Sequence, residues 1–286
     1  MSIEEHAQEA WSYFKSIDTQ ASGIIEHSIP IIYLGNYDAY KKSKIRIITM
    51  GLNPSKKEFP EDNAFNRFYQ VEKIYDQKKL SLHQAKTYLD SLNIYFEYNS
   101  NNWFDNFDPI LNAMNASFYP GYMNTVLHTD LYSPLVTSES WSKYQKNTDP
   151  SIVNELIQKG LEMWHHLADI LQPDIILTSV GESNSAEILN GREVPWTRFK
   201  VFDKTSKGKT RKKPFEVHCT VANLPSGKKC LVASGMNNVL PFMITSEQKA
   251  SLGRSIYRLI TDKEPSTMES EIYEKLDPRT LLAISQ

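Results

Sequence analysis

The chain has 286 residues, of which 40% are hydrophobic and 23% charged, and these values are typical of a globular protein with a sizeable core. The formal net charge of −2 excludes a uniformly basic coat for nucleic acid but allows a local basic surface. The two cysteines, Cys219 and Cys230, are too few for a four-cysteine zinc or iron–sulfur site. They could form one disulfide, but free, partly buried thiols are expected in a chain of this size.

The N-terminal residues resemble neither a secretion signal nor a membrane span. Residues 1–10 are acidic and polar, and no apolar run approaches the roughly 20 residues that a membrane span needs. We therefore expect a cytoplasmic monomer without a membrane partner.

Strand and helix patterns alternate along the chain. An amphipathic helix is predicted over residues 3–17, and Asp-Pro pairs mark helix starts at Asp108 and Asp149. Four short apolar runs predict strands at residues 45–50, 124–131, 174–180 and 229–234. The alternation predicts an α/β fold with three α/β/α layers around a mainly parallel four-stranded sheet.

A basic segment precedes the fourth strand. Apolar residues alternate on both sides of a lysine-rich centre, which predicts an inserted β-hairpin over residues 199–225. The run favours a polyanion partner, DNA, although such runs also occur as solvated loops. The cations expected to contact DNA are Lys204, Lys207, Lys209, Arg211, Lys212 and Lys213. We expect one domain over residues 1–262, followed by a tail at 263–286.

Small or polar residues follow each predicted strand. Because ligands bind at the carboxyl ends of parallel strands, these four segments form a candidate pocket. The segments are Gly51-Leu52-Asn53-Pro54, His128-Thr129-Asp130, Gly181-Glu182-Ser183 and Ser234-Gly235-Met236-Asn237-Asn238. The amide of Asn53 could position a water or contact a base edge, but a turn asparagine bonding its own backbone fits equally well.

Two segments resemble motifs of the uracil-DNA glycosylase superfamily. Gly51-Leu52-Asn53-Pro54 resembles its first motif, most closely that of the mismatch-specific and single-strand-selective branches. Asn66-Arg67-Phe68-Tyr69 resembles the Asn-Arg-Phe-Trp segment of the mismatch-specific branch, whose phenylalanine stacks on the extruded base. The resemblance covers about residues 45–241. It implies a uracil-DNA-glycosylase-like fold and a glycosylase that flips a pyrimidine out of DNA, hydrolyses its N-glycosidic bond and leaves an abasic site.

The resemblance also implies roles for individual residues. Asn53 would hold the attacking water beneath C1′ of the sugar. Phe68 would be the stacking platform, with Phe65 as its competitor, and an ordinary core aromatic is the alternative for Phe68. The residues expected to complete the base pocket are Gly51, Leu52, Pro54 and His128.

Asp130 departs from the family pattern. Uracil-removing relatives typically carry an asparagine at the end of the second core strand, and its amide both donates to and accepts from the base edge. An ionised aspartate only accepts, so it suits the amino group of a cytosine-type base better. We therefore expect Asp130 in the catalytic site to select a cytosine derivative, modified ones included. The alternatives are that Asp130 pairs with His128 or caps a turn.

The last motif departs further. Relatives often carry a His-Pro-Ser-type loop there, which stabilises the leaving base anion. Here the loop begins at Ser234, and stabilisation of the anion falls to Asn237, Asn238 or backbone N–H groups. Met236 could wedge into the base stack. A purely structural loop is the alternative for the whole segment.

Other functions stay open at this point. The chain could be an ordinary uracil or mismatch repair glycosylase, or a DNA- or nucleotide-binding module that kept the fold and lost catalysis. A role in base-excision repair and a role in defence against foreign DNA fit equally. No metal or cofactor is expected, because His165 and His166 are neighbours on a helix and cannot share one face.

Overall fold

The computed structural model describes residues 1–99, 101–181, 184, 188, 196–235 and 239–261. The chain divides into two units, each assembled from three separate segments. The first unit comprises Met1–Tyr37, Gly51–Asn99 and Leu127–Leu171; the second comprises Asp38–Met50, Ser100–Val126 and Gln172–Gln286. The single domain expected over residues 1–262 stays a prediction. The expected tail at 263–286 lies outside the described residues.

The sheet confirms the α/β prediction. It is mostly parallel and compatible with a three-layer α/β/α arrangement. Its strands are β1 (Ile47–Gly51), β2 (Ala116–Ser117), β3 (Asn124–Asp130), β4 (Ile175–Thr178), β5 (Thr197–Lys204), β6 (Thr210–Asn223) and β7 (Lys229–Ser234), in the spatial order β2-β3-β1-β4-β7-β6-β5. The four predicted strands are the adjacent β3, β1, β4 and β7.

The predicted strand number is corrected from four to seven. At one edge β2 pairs parallel with β3 over only two residues, too few for a periodic pattern in the sequence. At the other edge the predicted hairpin forms as β5 and β6, and β6 pairs antiparallel with β7. The hairpin therefore extends the sheet and makes it mixed.

The central strands have their apolar residues buried on both faces. All five residues of β1 and all four of β4 are buried, as expected for parallel strands covered on both sides. In the second unit Met50, Thr178 and Ser234 lie side by side across β1, β4 and β7. These three buried residues therefore lie at the same level in three neighbouring strands.

The hairpin separates apolar and basic residues by alternation. On β6 the side chains of Phe215, Val217 and Cys219 are buried, whereas lysines at its start are exposed. Cys219 and Cys230 are free and buried, as expected. Burial raises the pKa of both thiols, to about 12 for Cys230, so neither is poised as a thiolate.

Ten helices lie among the described residues. They are α1 (Ile3–Ser16), α2 (Thr19–Ser22), α3 (Tyr37–Lys42), α4 (Leu82–Asn93), α5 (Tyr95–Tyr98), α6 (Asn102–Asp105), α7 (Asp108–Asn112), α8 (Trp141–Asn147), α9 (Pro150–Leu171) and α10 (Ser246–Thr261), with 3-10 turns at Lys56–Glu58 and Tyr69–Ile74. Within this part of the chain, no helix is both long and apolar enough to cross a lipid bilayer.

In the first unit, α1 packs on α4 and α9. A capping box between Ser2 and Glu5 starts α1. Gly160 lets α9 come close to the segment after β3, because a β-carbon at this position would lie 1.8 Å from the carbonyl oxygen of Tyr132. Nearby, Trp164 Nε1 donates to Thr129 Oγ1 at 3.2 Å. These contacts hold the end of β3 against α9.

In the second unit, α7 packs on α10 and begins at a half-buried carboxyl group. One oxygen of Asp108 is buried and has no hydrogen-bond partner among the described residues. Burial, and then the nearby carboxylate of Asp105, raise the pKa of Asp108 from 3.8 to about 6. Between these two pH values the folded state binds more protons than the unfolded state, so stability falls as pH rises.

We predict that Asp108→Asn stabilises the protein by about 1 kcal/mol at pH 7 and leaves it unchanged near pH 4, where the carboxyl group is already neutral. The full pKa shift would correspond to a larger gain in the free energy of unfolding, but solvent around the half-exposed carboxyl group reduces that gain. Urea unfolding at a series of pH values measures the effect, with the exposed Asp203→Asn as control. A gain of the same size at pH 4 and pH 7 would contradict the assignment.

Candidate functional site

Gly51 ends β1 in a position where a side chain would not fit. A β-carbon there would lie 2.5 Å from Oδ1 of Asp130 and 3.5 Å from Cε1 of His128. Real β-carbons essentially never come within 3.0 Å of another heavy atom. Glycine is therefore needed for space, and it lets the Asp130 carboxylate pack against the end of β1. The backbone continues the pairing beyond this point, since Leu131 N donates to Gly51 O at 3.0 Å.

His128 and Asp130 form a close buried pair. Their side chains are 7% and 4% exposed, and His128 Nε2 lies 3.5 Å from Asp130 Oδ1. The distance exceeds that of a normal hydrogen bond, about 2.7–3.2 Å. The two side chains are nevertheless within ion-pair distance, so the structure places Asp130 beside His128, as the alternative interpretation of Asp130 has it. Asp130 also borders a small cavity of about 10 Å³, which His6 and Trp164 line as well.

Asn53 is half-buried, and its amide group is oriented by two hydrogen bonds. Nδ2 donates to Thr137 Oγ1 at 2.9 Å and to the carbonyl oxygen of Pro54 at 3.1 Å. The Thr137 hydroxyl donates in turn to Glu139 O at 2.7 Å, so it must accept from Asn53. Both bonds are donated by the amide nitrogen, so the acceptor Oδ1 points away from Thr137. The bond to Pro54 is the local backbone contact expected of a turn asparagine.

A buried ion pair joins the two segments that resemble family motifs. Glu58, five residues after Asn53, has a side chain only 4% exposed and pairs with Arg67 Nη1 at 2.8 Å. Tyr95 OH donates to the same carboxylate at 2.6 Å. Burial acts to lower the pKa of Arg67, but Glu58 and Tyr95 outweigh it and raise that pKa. The guanidinium therefore stays charged and fixes the loop after β1.

The aromatic residues are arranged differently from the expectation. Phe68 is 1% exposed and stacks on Phe59 and on Tyr95, with ring centroids 5.2 and 5.8 Å apart. Phe65 is half-buried and packs on Tyr75 at 4.9 Å. The packing of Phe68 fits the alternative given for it, an ordinary core aromatic, and a base could reach its ring only after a neighbouring ring moved. Its role as a stacking platform stays a prediction.

A cavity of about 550 Å³ lies beside the Asn53 loop in the first unit. Phe59 and Pro60 contribute apolar surface to it, and Lys56, Lys57 and Glu61 contribute charge. Its volume lies within the range of small-molecule pockets, about 300–1,000 Å³. It adjoins Asn53 along the chain, since Lys56 follows three residues later and Ser138, next to Thr137, is also part of the lining. Asn53, Phe68, His128 and Asp130 do not line it.

The predicted residues of the loop after β7 and of the basic hairpin belong to the second unit, whereas Leu52 and Pro54 lie beside Asn53 in the first. Ser234 is fully buried at the end of β7, between Thr178 and His218 on the neighbouring strands. Met236, Asn237 and Asn238 lie outside the described residues, as do Glu182 and Ser183.

The basic hairpin presents most of its cations to solvent. Lys207, Lys209, Lys212 and Lys213 are exposed. Lys204 Nζ donates to Thr210 Oγ1 at 2.8 Å, and Arg211 donates to the carbonyl oxygens of Lys204 and Met243 at 2.9 and 2.6 Å. Arg211 therefore holds the hairpin together and ties it to Met243, whereas the four exposed lysines can contact an external partner.

Several residues near Asn53 were not singled out from the sequence. Lys56 and Lys57 come directly after Pro54-Ser55, so the sequence alone places two cations close to Asn53. Phe59 could have been weighed against Phe65 and Phe68. Thr137 carries no such signal, because it is 84 residues from Asn53 and only folding brings the two together.

A comparison with known protein families finds no model that matches this chain, and a comparison with curated proteins finds no match. Proposals about function therefore depend on the site itself.

We predict that Gly51→Ala destabilises the protein by about 1–3 kcal/mol, because the new methyl group displaces a short buried carboxylate. Urea unfolding measures the change, and Gly181→Ala, whose β-carbon would meet nothing within 4 Å, is the control. In a double-mutant cycle with Asp130→Ala the two effects should not add, since the smaller side chain makes room. Strictly additive effects would show that the two positions do not interact.

Proposed function

We propose that this chain is a DNA glycosylase that flips a pyrimidine out of DNA and hydrolyses its N-glycosidic bond, with a cytosine-type base as substrate. The orientation of Asn53 carries the proposal. Its amide nitrogen is held by Thr137 and Pro54, so Oδ1 is an acceptor fixed before substrate binds. Such an acceptor can hold a water by one O–H and direct its lone pair at C1′.

The reaction assigns a simple role to this water. As the bond between C1′ and the base nitrogen breaks, the water oxygen forms the new bond to C1′. The base leaves with the bonding electron pair and takes up the proton that the water loses, and an abasic site remains. Asn53 accepts a hydrogen bond throughout and is not itself ionised, which suits an amide.

The 550 Å³ cavity is the proposed site of the flipped base. Phe59 lines this cavity but is only 4% exposed, so a base that stacks on its ring requires a neighbouring side chain to move; the buried Phe68 lies behind it at 5.2 Å. Aromatic stacking stabilises a base by about 1–3 kcal/mol without regard to sequence. Lys56 and Lys57 at the same cavity are suited to the phosphates that flank the flipped nucleotide.

Asp130 is the proposed selector of the base. Its carboxylate is an acceptor only, and its close polar neighbour, His128, stands at 3.5 Å. An acceptor suits the exocyclic amino group of cytosine, whereas uracil presents a carbonyl oxygen at that position. Asp130 faces His128, and neither residue lines the cavity, so selection by Asp130 requires that the edge of the base reach past the cavity to this buried pair.

The proposal is tested with oligonucleotides that carry single uracil, thymine, cytosine, 5-methylcytosine or 5-hydroxymethylcytosine residues, in single and double strands. Free base is measured by mass spectrometry and abasic sites by alkaline cleavage. We expect release of a cytosine-type base, a loss of about 10²–10⁴-fold in Asn53→Ala, and a shift towards uracil in Asp130→Asn. Asn154→Ala, an exposed position on α9, is the control.

The outcomes separate the rival functions. Uracil as the only base released by the wild type would refute the role of Asp130 and leave an ordinary uracil glycosylase. Binding of DNA without any alkali-labile site would refute catalysis and indicate a binding module. Full activity in Asn53→Ala would refute the water-positioning role.

We also propose that the hairpin β5–β6 holds the DNA backbone. Replacing Lys207, Lys209, Lys212 and Lys213 with alanine should weaken DNA binding and reduce the slope of log K against log salt by about 0.9 for each phosphate that the variant no longer neutralises. The matched control replaces the exposed Lys41, Lys42, Lys78 and Lys79, which changes the net charge equally. Equally weakened binding in the two variants would indicate general attraction and not a binding surface.

A further inference from the structure

Three side chains of metal-ligating type meet on two helices of the first unit. Glu9 is on α1, and Glu162 and His166 are on α9 at a spacing of four residues, which places them on one face. One ligand atom from each lies within 4.8 Å of the others. The expectation of no metal-ligand cluster arose from α9 alone, where His165 and His166 point apart; the third ligand comes from a helix about 150 residues away in the chain.

A second observation beneath this cluster points to a ligand. His6 lies on α1 one turn before Glu9 and is 1% exposed, yet its Nδ1 has no hydrogen-bond partner among the described residues. Oε2 of Glu9 is buried and equally without a partner there. Unsatisfied polar atoms in a protein interior are rare, and two of them one turn apart on the same helix call for an explanation.

The charged side chains of the cluster act on the buried His6. Burial lowers its pKa to about 4, Glu9 opposes this, and His166 and Lys159 add to it. His6 is thus neutral and close to the same side chains that form the cluster. A neutral imidazole can accept a hydrogen bond at one ring nitrogen.

Lys159 shows that the two carboxylates converge on a cation. Its ammonium lies 2.9 Å from Glu9 Oε1 and 3.1 Å from Glu162 Oε2. The lysine side chain is 28% exposed, so it can swing into solvent and leave this position to another cation. It would compete with a metal ion, and the affinity of the site depends on that competition.

We propose that Glu9, Glu162 and His166 form a zinc site that links α1 to α9, with a metal-bound water that donates to Nδ1 of His6. One imidazole and two carboxylates suit zinc, whereas magnesium and calcium prefer oxygen ligands throughout. Ligand atoms at about 2.1 Å from a tetrahedral ion are about 3.4 Å apart. The cluster must contract by up to about 1.4 Å to reach this geometry, which the exposed Glu162 and His166 side chains can do by changing rotamer.

The test uses the full chain after treatment with a chelator. Zinc binding is measured by calorimetry, and cobalt serves as a spectroscopic probe because a tetrahedral site gives it strong visible absorption. We expect one zinc per chain and a rise in Tm of about 5 °C at zinc concentrations near 100 times Kd. Glu9→Gln, Glu162→Gln and His166→Gln should each weaken binding at least about 10-fold.

Lys159→Met provides the sharpest variant, because it should tighten zinc binding by removing the competing ammonium, whereas damage to the fold would weaken it. His83→Gln, an exposed histidine on α4, is the control and should bind as the wild type does. Absence of saturable binding, or equal affinity in all variants, would overturn the proposal. So would Lys159→Met with unchanged affinity.

Discussion

The loop that carries Asn53 depends on the burial of one carboxylate. Glu58 is almost fully enclosed, and an enclosed charge is tolerated only when opposite charge and hydrogen bonds surround it. Arg67 and Tyr95 supply both, from a segment shortly after the loop and from helix α5. The same residues bring Phe68 against Phe59 and Tyr95. The electrostatic requirement of a single side chain thus orders the loop, the segment 66–68 and the aromatic stack that supports the wall of the cavity.

Two kinds of constraint meet at the end of β1. At Gly51 the requirement is space, because the carboxylate of Asp130 occupies the volume of a side chain. At Asn53 the requirement is direction, because Thr137 can only accept from the amide once its own hydroxyl is committed to Glu139. Preorganised polar groups of this kind reduce the rearrangement that a reaction would otherwise need. This is why the loop is a better candidate for chemistry than the other strand ends of the described chain.

The first unit also contains a polar layer between α1 and α9 that is distinct from the Asn53 loop. Its buried histidine and carboxylate oxygen are costly to leave unsatisfied in a tightly packed helix pair. The second unit shows the opposite arrangement, with apolar side chains of β6 inside and lysines outside. In the second unit the lysines of the hairpin therefore lie where solvent can reach them.

The sequence alone determined the features that depend on local periodicity and composition: the four central strands, helices α1 and α9, the hairpin and its exposed lysines. Short apolar runs and alternation are local, so they can be recognised without knowledge of the neighbours in space. Tertiary structure alone decided the pairing of the hairpin with β7, the covering of Phe68 by Phe59, and the hydrogen bond from Asn53 to Thr137. It also decided that Asp130 packs against Gly51, where no side chain would fit, and that Glu9 lies close to His166. These contacts join residues far apart in the chain, and no pattern along the sequence encodes which distant side chains will share one small volume.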